Sequence, residues 1–233
     1  MAYCYEKKTD RKGNIYIEIT GYEGSIRHLV IPAMMENIPV RSIGKYAFSG
    51  REDLCSLTLP ETIDTLGRQA FYNCKNLTTL SLFDSVEDYY DGVIKQCGNL
   101  HAITLHQKRN SFSVMKELLA DNDRMLRFCV EPIGLHLTFP AYVYDFVEDV
   151  EARVLHHKIE GSGYPYRECV TRKGVDLLAY DRLFFHAADD DYRAAIDIAL
   201  DRLMYPLELE TQAREVYEPV SYTHLTLPTN REV

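Results

Sequence analysis

Large apolar residues in the first half of the chain return at one fixed interval. Ile43, Leu66 and Tyr89 are 23 residues apart, and their neighbours keep the same step: Ala47, Ala70 and Val93; Phe48, Phe71 and Ile94; Leu54, Leu77 and Leu100; Leu57, Leu80 and Ile103; Leu59, Leu82 and Leu105. An unbroken register over so many columns marks a repeat array, whose units bury their apolar sides by stacking. In Leu77-Thr-Thr-Leu80-Ser-Leu82 the apolar residues fall three and then two apart, which predicts a short strand entered from a bend, with Thr78, Thr79 and Ser81 facing outward or sideways. A second apolar anchor follows at Val40, Ile63 or Val86. Gly44 and Gly67 then precede Ala47-Phe48 and Ala70-Phe71, where glycine tightens a corner, alanine allows close approach and phenylalanine fills the space between layers.

Two further strands are predicted ahead of the array, at residues 14–19 and 26–31. Leu29 and Ile31 take the places of Leu57 and Leu59, so this is an imperfect opening unit with an insertion before Val40. It is expected at the end of the stack, covering the first apolar layer. After Lys108 the period disappears. Ser113 to Ala120 reads as a short helix capped by Ser113, and residues 125–139 as helix end and loop. Pro140 opens a predicted longer helix in which Tyr142 or Val143, Phe146, Val147, Val150 and Val154 recur at three- and four-residue steps. It ends by the loop Gly161 to Tyr166. Further helices are predicted over 174–187, after Asp189-Asp-Asp191, and from Thr211 to Tyr217. The expected architecture is a repeat solenoid over 1–108, a small mostly helical domain over 109–219 and a disordered tail over 220–233.

Three stretches carry a resemblance: Val40-Arg-Ser-Ile-Gly-Lys-Tyr-Ala-Phe-Ser-Gly50, Leu57-Thr-Leu-Pro-Glu-Thr-Ile63 and Leu66-Gly-Arg-Gln-Ala-Phe-Tyr-Asn-Cys-Lys-Asn-Leu77. They resemble the BspA-like class of bacterial leucine-rich repeats, over about residues 13–107. The resemblance implies a solenoid of short parallel strands and turns, and a protein partner. The last unit departs from the pattern, with Tyr90, Val93 and Ile94 where glycine, alanine and phenylalanine stand elsewhere, and another element is expected to pack there. Residues 220–229, which include Ser-Tyr-Thr-His-Leu-Thr-Leu-Pro-Thr, resemble a translated sequencing adapter, so the natural chain is expected to depart from this one near Pro219.

Composition narrows the function classes. All but one unit of the net charge of −9 falls after Lys108, which argues against a nucleic-acid surface and against anionic membranes. Nothing reaches the roughly 18 apolar residues of a membrane span, and the start has no signal-peptide core. The six scattered cysteines contain no Cys-x-x-Cys and read as reduced thiols of a cytoplasmic protein. His156-His157 near Cys169 is the nearest approach to a metal cluster, but adjacent helical residues point about 100° apart and do not converge. Cys74 and Cys97 share a column as small apolar filling, Gly161-Ser-Gly163 lacks the lysine of a phosphate loop, and Asp189-Asp-Asp191 lacks the spacing of a calcium loop. No catalytic residue, metal ligand or cofactor is predicted.

The expected function is a noncatalytic protein-interaction or scaffolding module. Its candidate contact residues are Arg27, Thr58, Thr79, Ser81, Ala102 and Thr104 on the repeat face, with Tyr164 and Arg167 in the later loop. Two alternatives stand beside it: an enzyme or enzyme accessory with its site between the two halves, around Tyr164, Arg167 and Asp181, and a structural spacer in a longer protein.

Overall fold

The computed structural model describes residues 2–149, 154–205 and 214–217, without the side chains of 146–149 and 154–157. An antiparallel hairpin, β1 (Ala2–Thr9) and β2 (Ile15–Glu23), opens the chain. The repeats then supply β3 (His28–Val30), β4 (Met34–Met35), β5 (Ile38–Ile43), β6 (Ser56–Thr58), β7 (Thr65–Leu66), β8 (Thr79–Phe83), β9 (Asp88–Tyr89) and β10 (Ala102–His106). They form two sheets. One runs β1-β2-β5-β7-β9 with β4 on β5, the other β3-β6-β8-β10. Both send alternate residues into one core, including Ile17, Val40, Ile43 and Leu66 from the first, and Leu29, Leu57, Leu80 and Ile103 from the second. Phe48 and Phe71 stack between layers, with ring centroids 5.3 Å apart.

The turns between the sheets have a ladder of their own. Phe48 N–H donates to the Ala70 carbonyl and Phe71 N–H to that of Val93, at 2.8 and 2.9 Å; Tyr46 and Gln69 donate likewise to Arg68 and Asp91. Every unit thus donates to the next, and the last would be left with free N–H groups. Helix α1 (Ser113–Asp121) settles this: the Asp121 carboxylate accepts from Gly92 N–H at 3.1 Å, Ile94 N–H at 2.8 Å and the Tyr89 hydroxyl at 2.8 Å. Burial raises the Asp121 pKa, and these bonds oppose the rise. The element expected beside the irregular last unit is therefore α1. Its N-cap is Phe112, with no side-chain cap bond, and Ser113 is the first helical residue.

Gly67 has its place because the preceding layer's backbone comes so close. A Cβ there would lie 2.7 Å from Gly44 C and Lys45 N and 2.8 Å from Ile43 O. Gly67→Ala is expected to cost about 2–3 kcal/mol of overpacking, read as a lowered urea midpoint. Gly98→Ala, with nothing within 4 Å of the added carbon, serves as the neutral control.

The second sheet does not stop where the period does. Residues 125–139, expected as helix end and loop, hold β11 (Leu126–Glu131) and β12 (Leu135–Phe139). β11 adds in parallel to β10, and β12 returns antiparallel as the last strand. Ile103 pairs with Phe128, 25 residues on, because α1 and its flanks replace a turn of the regular unit. The helix expected from Pro140 is also absent: β13 (Val143–Asp149) and β14 (Val154–Glu160) pair as an antiparallel hairpin. Four valines at 143, 147, 150 and 154 favour extended backbone, and that preference overrode an apolar spacing that also fits a helix.

Apart from α1, the described helices follow the hairpin. α2 (Gly163–Glu168) stands where a loop was expected, and the single helix over 174–187 is two, α3 (Leu177–Arg182) and α4 (Phe184–Asp190). α5 (Tyr192–Met204) starts as expected, with the Asp191 carboxylate accepting from Arg193 and Ala194 N–H. Its buried stripe of Ala195, Ile198, Ala199 and Arg202 packs inward. A final helical turn occupies 214–217, within the stretch predicted from Thr211. Residues 220–233 lie outside the described residues.

Candidate functional site

Strand alternation puts one set of residues from the second sheet in the core and the other on its outer face. Cross-strand register arranges the outer set in rows. His28, Ser56, Thr79, Ala102, Arg127 and Thr138 form one row; Val30, Thr58, Ser81, Thr104, Cys129 and His136 form the next. A shorter third row holds Phe83, His106 and Glu131.

The helical region closes the β11–β12 end of this face. Asp201 of α5 accepts from the Thr138 hydroxyl at 2.7 Å and from the Arg127 guanidinium at 2.8 Å. Tyr205 stacks on His136, centroids 3.6 Å apart. The Tyr180 hydroxyl accepts from Thr138 N–H and donates to the Thr138 carbonyl, occupying backbone groups of the last strand. From β3 to β10 the face is open: Thr58 and Thr79 are exposed, and Ser81, Ala102 and Thr104 are half-buried. Arg27 is exposed just ahead of β3, while its carbonyl accepts from Cys55 and Ser56 N–H. The strand face thus brings Thr58, Thr79, Ser81, Ala102 and Thr104 together.

Tyr164 and Arg167 belong elsewhere. Tyr164 is exposed on α2 and meets Tyr142 edge-on at 5.7 Å. Both tyrosines, with Tyr144 and Arg167, line a depression of about 260 Å³. Arg167 is only 6% exposed, and its guanidinium donates to five carbonyls: Leu119, Asn122, Arg124, Pro140 and Gly163. The Tyr142 ring covers it at 4.6 Å. Burial draws its pKa down to about 10, which still leaves the cation intact at neutral pH. With its donors taken inside the fold, Arg167 is a structural tie and has no free N–H fork for a partner. Asp181 is fully buried, bonded to Arg202 and Tyr217. Tyr164, Arg167 and Asp181 therefore do not converge on one site.

Two residues of the face escaped the sequence reading. The Ser81 hydroxyl meets His106 Nε2 at 3.0 Å, and His106 Nδ1 meets a Glu131 carboxylate oxygen at 3.0 Å. An expectation of helix end and loop over 125–139 hides Glu131, whereas the alternation Leu-Arg-Phe-Cys-Val-Glu is the signal that reveals it. Cys74 and Cys97 donate from Sγ to the Phe48 and Phe71 carbonyls, each at 3.1 Å, and Cys97 is pushed up by its bond with Cys74 and by burial. His156 and His157 stand on β14 rather than on a helix, opposite Val147 and Phe146. Among the described residues, no three His, Cys, Asp or Glu side chains are grouped to hold a metal ion, and no helix is long and apolar enough to cross a membrane.

Residues 22–116 match the profile of the BspA type leucine rich repeat region, in six copies. No curated protein matches the chain. Similar solved structures include a leucine rich cell surface protein from Faecalibacterium prausnitzii, 19% identical, covering 46% of this chain and 45% of that one with a TM-score of 0.31. Others are the T. pallidum leucine rich repeat protein (18% identical, 43% and 68% covered, TM-score 0.26) and a leucine-rich repeat protein from Bacteroides capillosus (22%, 45% and 79%, TM-score 0.33). The chain thus spans under half the length of the Faecalibacterium protein it matches.

Proposed function

We propose that this chain, a BspA-type leucine-rich repeat solenoid followed by a smaller helical region, is a protein-interaction or scaffolding module without turnover chemistry of its own. The open outer face of the second sheet carries this reading: a fixed array of small hydroxyl side chains and half-covered aromatic rings, set on strands whose backbone groups are already paired. Such a surface loses little backbone freedom on binding. The roles divide near residue 108. The repeats present the face through Thr58, Thr79, Ser81, Ala102 and Thr104, with Arg27 at its rim, and the later region closes its far end and orients it through Asp201 and Tyr205. Tyr164 is a second contact candidate, beside the depression over Arg167. The six unbridged thiols fit a reducing compartment such as the cytoplasm.

A Thr58→Lys/Thr79→Lys variant tests the face by setting two desolvated charges into any interface formed there. Retention of the chain's partner on an affinity column is expected to fall at least about tenfold. Lys95→Glu, on a turn away from the face, is expected to retain it. Equal retention by the face variant and the unaltered chain would remove the face from the proposal.

A further inference from the structure

The outer face contains a connected chain of three side chains whose atom order matters. His106 presents Nδ1 to Glu131 and Nε2 to Ser81, at 3.0 Å on both sides. The carboxylate selects the tautomer with the proton on Nδ1, which leaves the Nε2 lone pair to accept the Ser81 hydroxyl proton. Phe83 packs against the imidazole, centroids 4.9 Å apart, and helps fix its plane. Register explains the assembly: His106 and Glu131 lie opposite each other on β10 and β11, while Ser81 sits diagonally, opposite Thr104. Ser81 is half-buried and the His106 side chain 30% exposed, so a small molecule can reach both.

We propose that Ser81 is an activated nucleophile that takes an acyl group from an activated donor, an aryl ester or a thioester, and keeps it. Ser81 Oγ attacks the acyl carbonyl carbon while its proton passes to His106 Nε2. The bond from that carbon to the leaving oxygen or sulfur then breaks, and the leaving group departs with the proton from Nε2. Glu131 positions and stabilises the imidazolium between these two transfers. The products are an ester on Ser81 and a free phenol or thiol, with no oxidant or reductant involved. The face offers the reacting carbonyl the neighbouring hydroxyls of Thr58 and Thr104, in place of the paired backbone N–H groups that hydrolases aim at an oxyanion. Hydrolysis of the ester is slower than its formation, because it must expel a serine alkoxide, a poorer leaving group than a phenolate or thiolate, so the event is a stoichiometric mark on the interaction face rather than a turnover. This goes beyond the binding role and stands or falls separately from it.

His28 and Ser56 supply an internal control. His28 Nδ1 lies 2.8 Å from Ser56 Oγ, and among the described residues no carboxylate lies within ion-pair distance of His28. The test incubates the whole chain with p-nitrophenyl acetate and follows acetylation by intact mass and peptide mapping. Ser81 is expected to be acetylated well ahead of Ser56. His106→Gln is expected to slow Ser81 acetylation about a hundredfold, the low end of what a positioned general base contributes. Glu131→Gln, with an unchanged circular dichroism spectrum, is expected to slow Ser81 acetylation about tenfold without slowing that of Ser56, and Glu131→Asp to recover part of the rate, which loss of a merely structural contact would not do. Acetylation of Ser81 no faster than of Ser56 overturns the proposal. So does an unchanged rate in folded His106→Gln, or a Ser81 rate in folded Glu131→Gln equal to that of the unaltered chain.

Discussion

Arg167→Met is expected to lower the stability of the chain by about 3–5 kcal/mol, since several buried carbonyls lose hydrogen bonds from a charged donor and each one left unsatisfied costs about 1–3 kcal/mol before relaxation. The five carbonyls bonded by Arg167 come from three places: the end of α1 and the segment after it, the residue following β12, and the start of α2. Methionine fills part of the volume but donates nothing, so these acceptors lose their bonds while still buried. Arg167→Lys is expected to recover only part of the loss, because an ammonium has three donors on a point and cannot reproduce a planar fork. Urea unfolding gives the loss, and limited proteolysis locates it. Cleavage after residue 140 ahead of the repeats is the expected pattern, since Arg167 ties the later elements to the end of the stack. Unfolding at the unaltered midpoint would show that the guanidinium is not the tie described.

Asp181→Ala is expected to have a comparable effect, about 3–5 kcal/mol, for a different reason. Arg202 and Asp181 are both without solvent exposure, paired through Nε at 2.8 Å and Nη2 at 3.0 Å, and the Tyr217 hydroxyl donates to the same carboxylate at 2.8 Å. Burial acts to lower the Arg202 pKa, and the bond and charge of Asp181 more than offset it, leaving it raised. Without the carboxylate the guanidinium keeps its desolvation cost and loses its compensation, all the more because its Nη1 has no partner among the described residues. The double variant Asp181→Leu/Arg202→Met is expected to regain much of what Asp181→Ala loses, since well-packed apolar groups replace buried ion pairs at little cost. A double variant as unstable as the single one would mean that the helices around α3 and α5 depend on the polar contacts themselves. Thermal unfolding followed by circular dichroism distinguishes the two.

These two arginines also show where sequence reading stops. Columns such as Phe48, Phe71 and Ile94 were legible because each apolar residue meets its equivalents in adjacent layers, so spacing along the chain translates into contact. The open face was legible for the same reason: once Leu57, Leu80 and Ile103 point inward, Thr58, Ser81 and Thr104 must alternate outward. Arg167 carries no such mark. Its partners are backbone carbonyls, which every residue type provides, and they lie 27 to 48 residues away except for Gly163. Tyr164-Pro-Tyr-Arg167 therefore fits a recognition patch and internal packing alike, and the chain turns its arginine inside. The stretch from Val143 failed in another way, because its valines and aromatics fit two periods. Residues Leu126–Glu131 alternate cleanly, yet they were hidden by a change of spacing from 23 to 25 residues.

The two ladders of the solenoid end in different ways. Strand pairing runs on through β11 and β12, whereas the turn ladder is terminated by one side chain, Asp121, whose two carboxylate oxygens occupy the places of two carbonyls from a further layer. Two of the three bonds to this carboxylate come from N–H groups that every preceding turn also presents in the same columns, at Tyr46 and Phe48 and again at Gln69 and Phe71, and the third comes from the Tyr89 hydroxyl of the last unit. Nothing in that contact counts layers. Duplication or loss of a 23-residue segment upstream would deliver an equivalent pair of donors to the same carboxylate, so the length of this protein's surface can change in evolution by whole units without redesign of the part that ends it.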